Sequence, residues 1–277
     1  MNIAGRISSR QNALVMRATS LAEKKYRDSM GCFLIEGEKL FAEAVRAGIV
    51  PEEIYVKESK SEDILSLIEK ETADIPFDSP KIFLLADACF DKISTEKSPE
   101  GIILLVRHLD FFEKYIKIDG SNFFAEDEHL LVLYDVRDPG NMGAILRSAL
   151  AFGVQTVLLA GHCVDLYNPK TVRASMGALF RLRFGEAEDF CLLADALRRG
   201  GRRLLAAELT QNAKPLQTLS VTKKDVFVIG NEGHGIPRDV SALCDGSAYI
   251  PINPSVESLN AAVAASVLLY EQSRASV

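Results

Sequence analysis

Three loops in the second half of the sequence combine glycine, asparagine and charged residues in patterns that suit ligand binding. They span residues 138–143 (loop one), 229–237 (loop two) and 250–260 (loop three). Each loop directly follows an apolar stretch that is typical of a buried strand. In open α/β sheets, ligands bind outside the carboxyl ends of the strands. The pattern therefore predicts a ligand cleft built from three loops.

Loop one leads into a predicted helix. One face of that helix is apolar at helical spacing: Met142, Ile145, Leu146, Ala149 and Leu150. Arg147 lies about 140° from this stripe and four residues after Gly143, whose missing side chain leaves space for a substrate beside the guanidinium. Asn141 falls near the predicted N-cap, where its side chain can bond free backbone N–H groups. A helix cap and a surface charge would explain Asn141 and Arg147 equally well.

Loop two contains three glycines, Gly230, Gly233 and Gly235. Glycine lets the backbone adopt positive φ and approach a ligand closely. The order G-x-x-G-x-G does not match the dinucleotide fingerprint G-x-G-x-x-G, and the sequence has no G-K-[ST] phosphate loop. A nicotinamide-dependent enzyme is therefore disfavoured, and loop two by itself does not identify the ligand.

Loop three is predicted to be extended and then helical. Pro251 and Pro254 restrict its backbone and remove hydrogen-bond donors. Ser258 and Asn260 lie at the predicted start of the last helix, where side-chain and backbone donors converge. Helix capping alone would explain the same two residues.

The net charge of −6 argues against indiscriminate nucleic-acid binding, but the charge is unevenly distributed. Residues 1–48 carry a net charge of +3, residues 49–128 carry −10 and residues 129–277 carry +1. The first 27 residues contain six basic residues: Arg6, Arg10, Arg17, Lys24, Lys25 and Arg27. This basic segment predicts a surface that attracts phosphate, although a solvated helix face would have the same composition.

Cysteines and histidines are scattered without C-x-x-C or H-x-x-x-H spacing, so we expect neither a disulfide framework nor a metal site. The longest uncharged run, residues 148–164, contains glycines and a histidine and is a poor membrane span. Arginines interrupt the N-terminus, which lacks the apolar stretch of a secretory signal. The sequence therefore predicts a cytoplasmic protein that does not enter a membrane.

Apolar runs of strand length alternate with helical patterns in two stretches of the chain. In the first stretch, strands are predicted at residues 33–35, 54–56, 82–85 and 102–106, with a helix over residues 38–47. In the second stretch, strands are predicted at residues 130–134, 156–159, 203–207, 226–229 and 248–250, with a last helix over residues 258–274. The alternation predicts an α/β fold. It divides into a small α/β domain (residues 1–108), a linker (109–128) and a domain with a mostly parallel sheet (129–277).

Together and in this order, the three loops resemble the SpoU (TrmH-like) family of RNA 2′-O-ribose methyltransferases, in the SPOUT superfamily. The matching motifs are Asn141-x-Gly143-x-x-x-Arg147, Ile229 through Gly235, and Ile250-Pro251 through Ser258-Leu259-Asn260. Ser175-Met176-Gly177-Ala178 also resembles a family segment. Nearer the N-terminus, Ile7-Ser8-Ser9-x-x-Asn12 and Phe33 through Gly37 resemble the family's RNA substrate-binding domain, which has a ribosomal-protein L30e-like fold.

The resemblance implies an RNA methyltransferase that depends on S-adenosylmethionine and uses no metal. It also implies a trefoil knot in the C-terminal sheet and a homodimer whose active site draws residues from both subunits. The catalytic group would be Arg147, supported by Asn141, Glu232, Ser258 and Asn260. The cofactor-binding residues would be Ile229, Gly230, Asn231, Gly233, Ile250 and Leu259.

Transfer of a methyl group from a sulfonium to a ribose hydroxyl requires alignment of the two groups and removal of one proton. The family proposal makes the arginine the base. A guanidinium normally stays protonated, so Arg147 would alternatively bind the neighbouring phosphate and activate the hydroxyl. A separate RNA-binding front domain favours ribosomal RNA over transfer RNA by analogy. A catalytically silent RNA-binding or assembly protein is the further alternative, which the intact motif residues disfavour.

Overall fold

A computed structural model of the chain describes residues 3–73, 80–112, 115–118, 124 and 128–274. By their contacts the residues form two compact units. The first unit comprises residues 1–112 and 167–180, and the second comprises residues 113–166 and 181–277. The segment 167–180, which the sequence places within the C-terminal domain, therefore groups with the first unit.

The described helices and strands alternate along most of the chain. In chain order they are β1 Ile3–Ile7, α1 Ala13–Ser20, α2 Lys24–Met30, β2 Cys32–Glu36, α3 Glu38–Arg46, β3 Glu53–Lys57, α4 Ser61–Thr72, β4 Lys81–Leu85, α5 Asp87–Ile93, β5 Ile102–Arg107, β6 Tyr115–Ile118, β7 Leu130–Tyr134, α6 Pro139–Ala151, β8 Thr156–Ala160, α7 Pro169–Ala174, β9 Arg183–Ala187, α8 Phe190–Arg199, β10 Arg203–Ala207, β11 Lys214–Pro215, β12 Asp225–Ile229, α9 Arg238–Ser241, β13 Gly246–Tyr249 and α10 Ala261–Arg274. Short 3₁₀ segments lie at Glu58–Lys60, Leu109–Phe112, Ala178–Phe180 and Leu216–Thr218.

The first unit is built on a five-stranded mixed sheet in the order β1-β4-β3-β5-β2. Strands β1, β4 and β3 pair in parallel, whereas β5 is antiparallel to both β3 and β2. Buried aromatic side chains fill its core, among them Phe33, Phe41, Tyr55 and Phe90. The four strands and the helix predicted in this stretch are confirmed to within about one residue at each end.

The second unit is built on an eight-stranded sheet in the order β11-β13-β10-β12-β7-β8-β9-β6, in which every neighbouring pair is parallel. The central strands β7, β8 and β12 are almost fully buried. A strand that is buried on both faces needs a continuous apolar run, which is why the sequence predicts these three so accurately. The expected α/β fold with a mostly parallel sheet is confirmed.

Several elements of the second unit differ from the sequence prediction. Strand β9 is not predicted because Arg183, Gly185 and Glu186 interrupt its apolar pattern. A Cβ at Gly185 would lie 2.7 Å from Leu158 Cδ2, so only glycine fits beside β8. Strand β6 lies within the predicted linker and pairs with β9. Strand β13 ends before Ile250, and α10 begins at Ala261, so the predicted bounds of both elements are wrong by two or three residues.

Candidate active site

Loops one, two and three follow strands β7, β12 and β13 of the same parallel sheet. Strand β12 pairs directly with β7, with Ile229 opposite Leu133 at the carboxyl ends. Strand β13 is separated from β12 by β10 alone. Because the carboxyl ends of parallel strands meet at one edge, all three loops leave the sheet on the same side. The predicted gathering of the three loops is confirmed.

The cap of helix α6 is Asp138 and not Asn141. The Asp138 carboxylate accepts a hydrogen bond from the Asn141 backbone N–H at 2.7 Å, and Pro139 occupies the first turn, where proline is favoured. Asn141 is therefore already helical, and the capping explanation for it is wrong. Its side chain is free to bond elsewhere.

A chain of side-chain hydrogen bonds joins the three loops through Asn141. Asn141 Nδ2 donates to Glu232 Oε1 at 3.0 Å, and Asn141 Oδ1 accepts from Asn260 Nδ2 at 2.9 Å. One amide thus bonds a carboxylate on one side and an amide on the other. Three residues far apart in sequence are brought together as the resemblance implies.

Glu232 also bonds the backbone at the start of α6. Its carboxylate accepts from the N–H groups of Asp138 at 3.3 Å and Arg137 at 3.4 Å. A negative charge at a helix N-terminus interacts favourably with the free N–H groups and the helix dipole. These bonds anchor the exposed tip of loop two on loop one.

Asn260 caps the last helix and joins the network with opposite ends of the same amide. Asn260 Oδ1 accepts from the backbone N–H groups of Ala262 at 2.9 Å and Val263 at 3.3 Å, while its Nδ2 donates to Asn141. Capping and site formation are therefore not alternatives for Asn260. Ser258 is exposed two residues before the cap, and its hydroxyl forms no hydrogen bond within the described part of the chain.

Arg147 projects from the exposed side of α6. Four members of the predicted apolar stripe are buried (Met142, Ile145, Leu146 and Ala149), while Leu150 is half-buried. The Arg147 side chain is exposed, and its guanidinium forms no hydrogen bond or ion pair with any described residue. It is therefore free to bind an external anion or hydroxyl.

Loop two closes tightly on itself. Asn231 and Gly235 exchange both backbone hydrogen bonds at 3.0 and 3.1 Å, and Gly235 has φ +66°. The Asn231 Oδ1 atom accepts from the N–H groups of Gly233 at 2.9 Å and His234 at 3.1 Å. A Cβ at Gly230 would lie 2.6 Å from Gly235 C and 2.6 Å from Ile236 Cγ1. Glycine at 230 is thus required mainly because loop two packs on itself there, and not only because a ligand approaches. The sequence did not reveal this reason.

The other predicted cofactor residues lie in loops two and three and at the end of β12. Ile229 is buried at the end of β12, whereas Ile250 and Leu259 are half-buried in loop three. Gly233 is exposed and presents backbone without a side chain. Ile250 also lines a surface pocket together with Leu216, Gln217, Pro251, Val267 and Glu271. Half-buried aliphatic side chains beside exposed backbone suit a flat heteroaromatic ring with polar edges.

Sequence reasoning overlooked Asp135 and Arg137, which precede loop one. Asp135 follows β7 directly and has φ +58°, which is rare for a residue with a side chain. Its carbonyl accepts a hydrogen bond from Asn231 Nδ2 at 2.9 Å. Aspartate at the end of a buried strand tolerates this backbone conformation well, so its residue type was the available signal.

The predicted basic segment of the first unit is largely paired within the unit. Arg27 is buried and donates to the carbonyl oxygens of Leu21 and Ala22, so its inclusion in an RNA-binding surface is wrong. Other members form ion pairs on the same unit: Arg6 with Glu58, Arg17 with Glu53, Lys24 with Asp28, and Lys25 with Glu23. The ion pairs of Lys24 and Lys25 are exposed, and exposed pairs are weak, so both lysines can still bind phosphate.

Two cysteines of the second unit carry poorly reactive thiols. Burial raises the pKa of Cys163 to about 11 and that of Cys244 to about 12, so both thiols are protonated and poor nucleophiles at neutral pH. The described residues contain no group of three or more His, Cys, Asp or Glu side chains placed to hold a metal ion. Across those same residues, every helix is too short or too polar to cross a bilayer.

Comparison with known families gives two matches that together span most of the chain. Residues 128–270 match the SpoU rRNA Methylase family, and residues 12–104 match the MRM3-like substrate binding domain.

Individual proteins resemble the chain over nearly its whole length. The 23S rRNA (guanosine(2553)-2′-O)-methyltransferase RlmP of Bacillus subtilis is 30% identical over 95% of this chain and 97% of its own. An AdoMet-bound rRNA methyltransferase from Sinorhizobium meliloti superposes with a TM-score of 0.82 at 25% identity, covering 99% of both chains. The SpoU methyltransferase AviRb from Streptomyces viridochromogenes, in complex with AdoMet, gives a TM-score of 0.79 at 26% identity over 95% of this chain and 98% of its own.

Proposed function

The chain belongs to the SpoU rRNA Methylase family, and we propose that it transfers a methyl group from S-adenosylmethionine to a ribose 2′-hydroxyl of ribosomal RNA. The observation that carries this proposal is the chain of hydrogen bonds Glu232–Asn141–Asn260, which joins the three loops on the helix that bears an unpaired Arg147. An enzyme whose methyl donor is already activated must mainly hold two ligands in line, and such a rigid frame serves that purpose.

Loops two and three fit the cofactor. Ile250 and Leu259 supply half-buried apolar surface for an adenine ring, and exposed backbone carbonyl groups around Gly233 supply acceptors for its amino group. Ile229, Gly230 and Asn231 shape the same loop from the end of β12. When bound, S-adenosylmethionine supplies an electrophilic methyl group on a sulfonium. The protein's own task is to orient that methyl group toward the acceptor and to exclude water from the path.

Arg147 acts on the acceptor as a fixed cation. Arg147 lies about one and two-thirds turns along α6 from Asn141, and no described residue neutralises its exposed guanidinium. A cation beside the phosphate next to the target ribose stabilises the alkoxide that develops at the 2′-oxygen, and the proton passes to solvent. A guanidinium is a poor base but a good bidentate ligand for phosphate, which favours this role over proton abstraction.

The remaining site residues support these two functions. Asn141 and Glu232 fix loop two on the start of α6, and Asn260 fixes the start of α10 on Asn141. Ser258, exposed and unbonded among the described residues, is assigned to contact the substrate directly. Assigning Ser258 to the substrate is consistent with its absence from the internal network.

The front domain, residues 1–108, is assigned the role of RNA reader, with residues 109–128 as the connection to the methyltransferase domain 129–277. The match of residues 12–104 to the MRM3-like substrate binding domain supports this division. Relatives named for ribosomal RNA favour that substrate over transfer RNA. Tyr167 stacks on His108 with ring centroids 4.1 Å apart, and its hydroxyl accepts from Leu109 N–H. Removal of residues 1–108 would therefore disturb residues 167–180 as well, and substitutions test the front domain more cleanly.

A trefoil knot, a homodimer and a cytoplasmic location complete the proposal. The knot follows from the family resemblance, and β12, which carries loop two, lies between β7 and β10. Val263, Val267 and Tyr270 form an exposed apolar stripe at spacings of four and three residues on α10. Such a stripe supports pairing with a second copy of the chain, and sedimentation equilibrium of the Val267→Glu variant, expected to be monomeric, tests it.

Methylation of RNA tests the central proposal directly. Protein is incubated with S-adenosylmethionine labelled in the methyl group and with total RNA or ribosomal subunits from its host lacking the gene. We expect label in the large ribosomal RNAs, at one nucleotide that then resists alkaline cleavage at its 2′-O-methylated ribose. Label in transfer RNA alone would reverse the substrate assignment. Absence of label from every RNA, with the cofactor bound, would favour the silent RNA-binding alternative.

A further inference from the structure

Asp135 holds a strained backbone conformation at the carboxyl end of β7. Its φ is +58°, and only Met176 shares a positive φ among the described residues other than glycine. The conformation is held from both sides: Asp135 N–H donates to Ala160 O at 3.0 Å, and its carboxylate accepts from His162 N–H at 3.2 Å. Strained residues persist where the surroundings over-determine them, and they concentrate at functional sites.

The left-handed turn directs the Asp135 carbonyl toward loop two. That oxygen accepts from Asn231 Nδ2 at 2.9 Å, which fixes which way the Asn231 amide faces. The opposite atom, Asn231 Oδ1, then accepts from the N–H groups of Gly233 and His234. The Asp135 carbonyl, and not its carboxylate, is therefore the group that contacts loop two.

The Asp135 side chain has a separate task just before loop one. Its Oδ1 atom accepts from Arg137 Nε at 3.2 Å and Nη2 at 3.0 Å. The carboxylate is largely covered, with 19% of its side chain exposed, whereas the Arg137 side chain is 61% exposed. A guanidinium held along one edge keeps donors on its other edge, and those donors suit a phosphate oxygen.

We propose that Asp135 is a positioning residue of the methyl-transfer site, whose carbonyl sets the cofactor loop through Asn231 and whose carboxylate holds Arg137 to bind a phosphate of the RNA. The inference rests on the function proposed above. Arg137 would thus be a second RNA-binding cation beside Arg147, on the same edge of the sheet but on a separate segment of chain. The two tasks of Asp135 are separable by substitution because one belongs to its backbone and the other to its carboxylate.

Three substitutions at Asp135 separate these tasks. Asp135→Gly keeps the left-handed backbone but removes the carboxylate, Asp135→Ala loses both, and Asp135→Asn keeps the backbone preference and loses the charge. Asp195→Ala is the matched control, because Asp195 forms an ordinary ion pair with Arg198 on the surface of α8. Three quantities are measured: amide hydrogen exchange at Gly233 and His234 in the cofactor-free protein, cofactor affinity by calorimetry, and KM and kcat for RNA.

Asp135→Ala is expected to speed amide exchange at Gly233 and His234 by about tenfold and to weaken cofactor affinity by a similar factor. Asp135→Gly should keep both the exchange rates and the cofactor affinity within about threefold of the native protein. Both variants, and Arg137→Ala, are expected to raise the RNA KM by roughly fivefold or more with little change in kcat. Asp135→Asn should preserve cofactor affinity and recover part of the RNA KM.

Equal loss of cofactor affinity in the glycine and alanine variants would overturn the role of the carbonyl. An Arg137→Ala variant that weakens cofactor binding but not RNA binding would overturn the phosphate assignment, since the anion would then be the cofactor carboxylate. Variants no different from Asp195→Ala would overturn both parts. Amide exchange is measured without substrate, so a protein that methylates no RNA would refute the proposed function and still report on loop two.

Discussion

One cluster of polar and charged side chains in the first unit is paired and partly buried, whereas the group at the carboxyl ends of the parallel strands in the second unit is exposed. In the first unit, Arg17, Glu53 and Tyr55 form a cluster in which the Tyr55 hydroxyl donates to Glu53 at 2.5 Å. In the second, Glu232 and Arg147 are exposed, and only the former has partners among the described residues. The same residue types stabilise the first of these clusters and leave the second ready for a ligand.

The topology of the two sheets accounts for this difference. All eight strands of the second sheet run in parallel, so the loops that follow them emerge on one edge and their polar side chains meet there. In the first sheet β5 runs antiparallel to its neighbours, which spreads the strand ends over both edges. A parallel sheet thus gathers the polar side chains of its loops at one edge, while a mixed sheet distributes them over two.

Removal of the unpaired charge of Arg147 tests the contrast between the two regions most strongly. Arg147→Ala should lower methyl transfer by roughly 10² to 10³-fold or more, because it deletes the cation that stabilises the developing alkoxide. Cofactor affinity should be unchanged, and the free energy of unfolding should change by less than about 0.5 kcal/mol, as for an ordinary surface residue. Kinetics, calorimetry and urea unfolding measure the three. Arg199→Ala, on the exposed end of α8, is the control, and a destabilised Arg147→Ala protein would mark Arg147 as structural instead.

The next largest effect is expected on cofactor affinity, from a substitution in loop two. Gly230→Val should weaken cofactor binding at least about tenfold, because its side chain would enter the space that Gly235 and Ile236 occupy at 2.6 Å. Gly246→Ala, in strand β13, is the control and should keep native affinity, since its Cβ would meet only Leu205 Cδ2 at 3.7 Å. Calorimetry measures both affinities. Native affinity in a folded Gly230→Val protein would exclude loop two from the cofactor site.

The RNA-reading role of the first unit predicts a smaller, salt-dependent effect. Lys24→Glu combined with Lys25→Glu should raise the RNA KM severalfold and reduce the salt slope by roughly 0.7 to 0.9 for each phosphate that the protein no longer neutralises. Lys70→Glu, on the exposed face of α4, is the matched charge reversal in the acidic part of the chain. Methylation across a salt series measures the slopes. Identical slopes in the double variant and the native protein would show that this basic segment does not read RNA.

A change in the buried cluster of the first unit should affect stability alone. Tyr55→Phe removes the hydroxyl donor to the buried Glu53 and should lower the free energy of unfolding by about 1–2 kcal/mol. Burial and the hydrogen bond to Glu53 raise the pKa of Tyr55, so the hydroxyl keeps its proton as a donor throughout the neutral range. Urea unfolding measures the loss, and kcat should stay within about twofold of the native value. A fall in kcat at native stability would assign this cluster to function.

Prediction from sequence succeeded where burial imposes one pattern and failed where packing decides. Strand β7 is recovered to the residue because a strand covered on both faces requires an unbroken apolar run. Strand β9 is missed because its place near the edge of the sheet leaves Arg183 and Glu186 exposed. It is also missed because Gly185 is required by its contact with a side chain on another strand. The expected cap at Asn141 was wrong because Asp138, three residues earlier, caps the helix, so that Asn141 is already its third residue.

The sequence by itself determined the α/β class, the order along the chain of the strands that carry the three loops, and the residue types available for methyl transfer. These features follow from residues that are neighbours in the chain, through the periodicity of apolar residues and the composition of the loops. Only the tertiary structure decided which of those residues meet. Asn141 bonds Glu232 and Asn260 across separations of 91 and 119 residues, and Asp135 orders a loop 96 residues away. Hydrogen bonds act over about 3 Å of space regardless of chain distance, so their partners are settled only when the sheet brings the strand ends together.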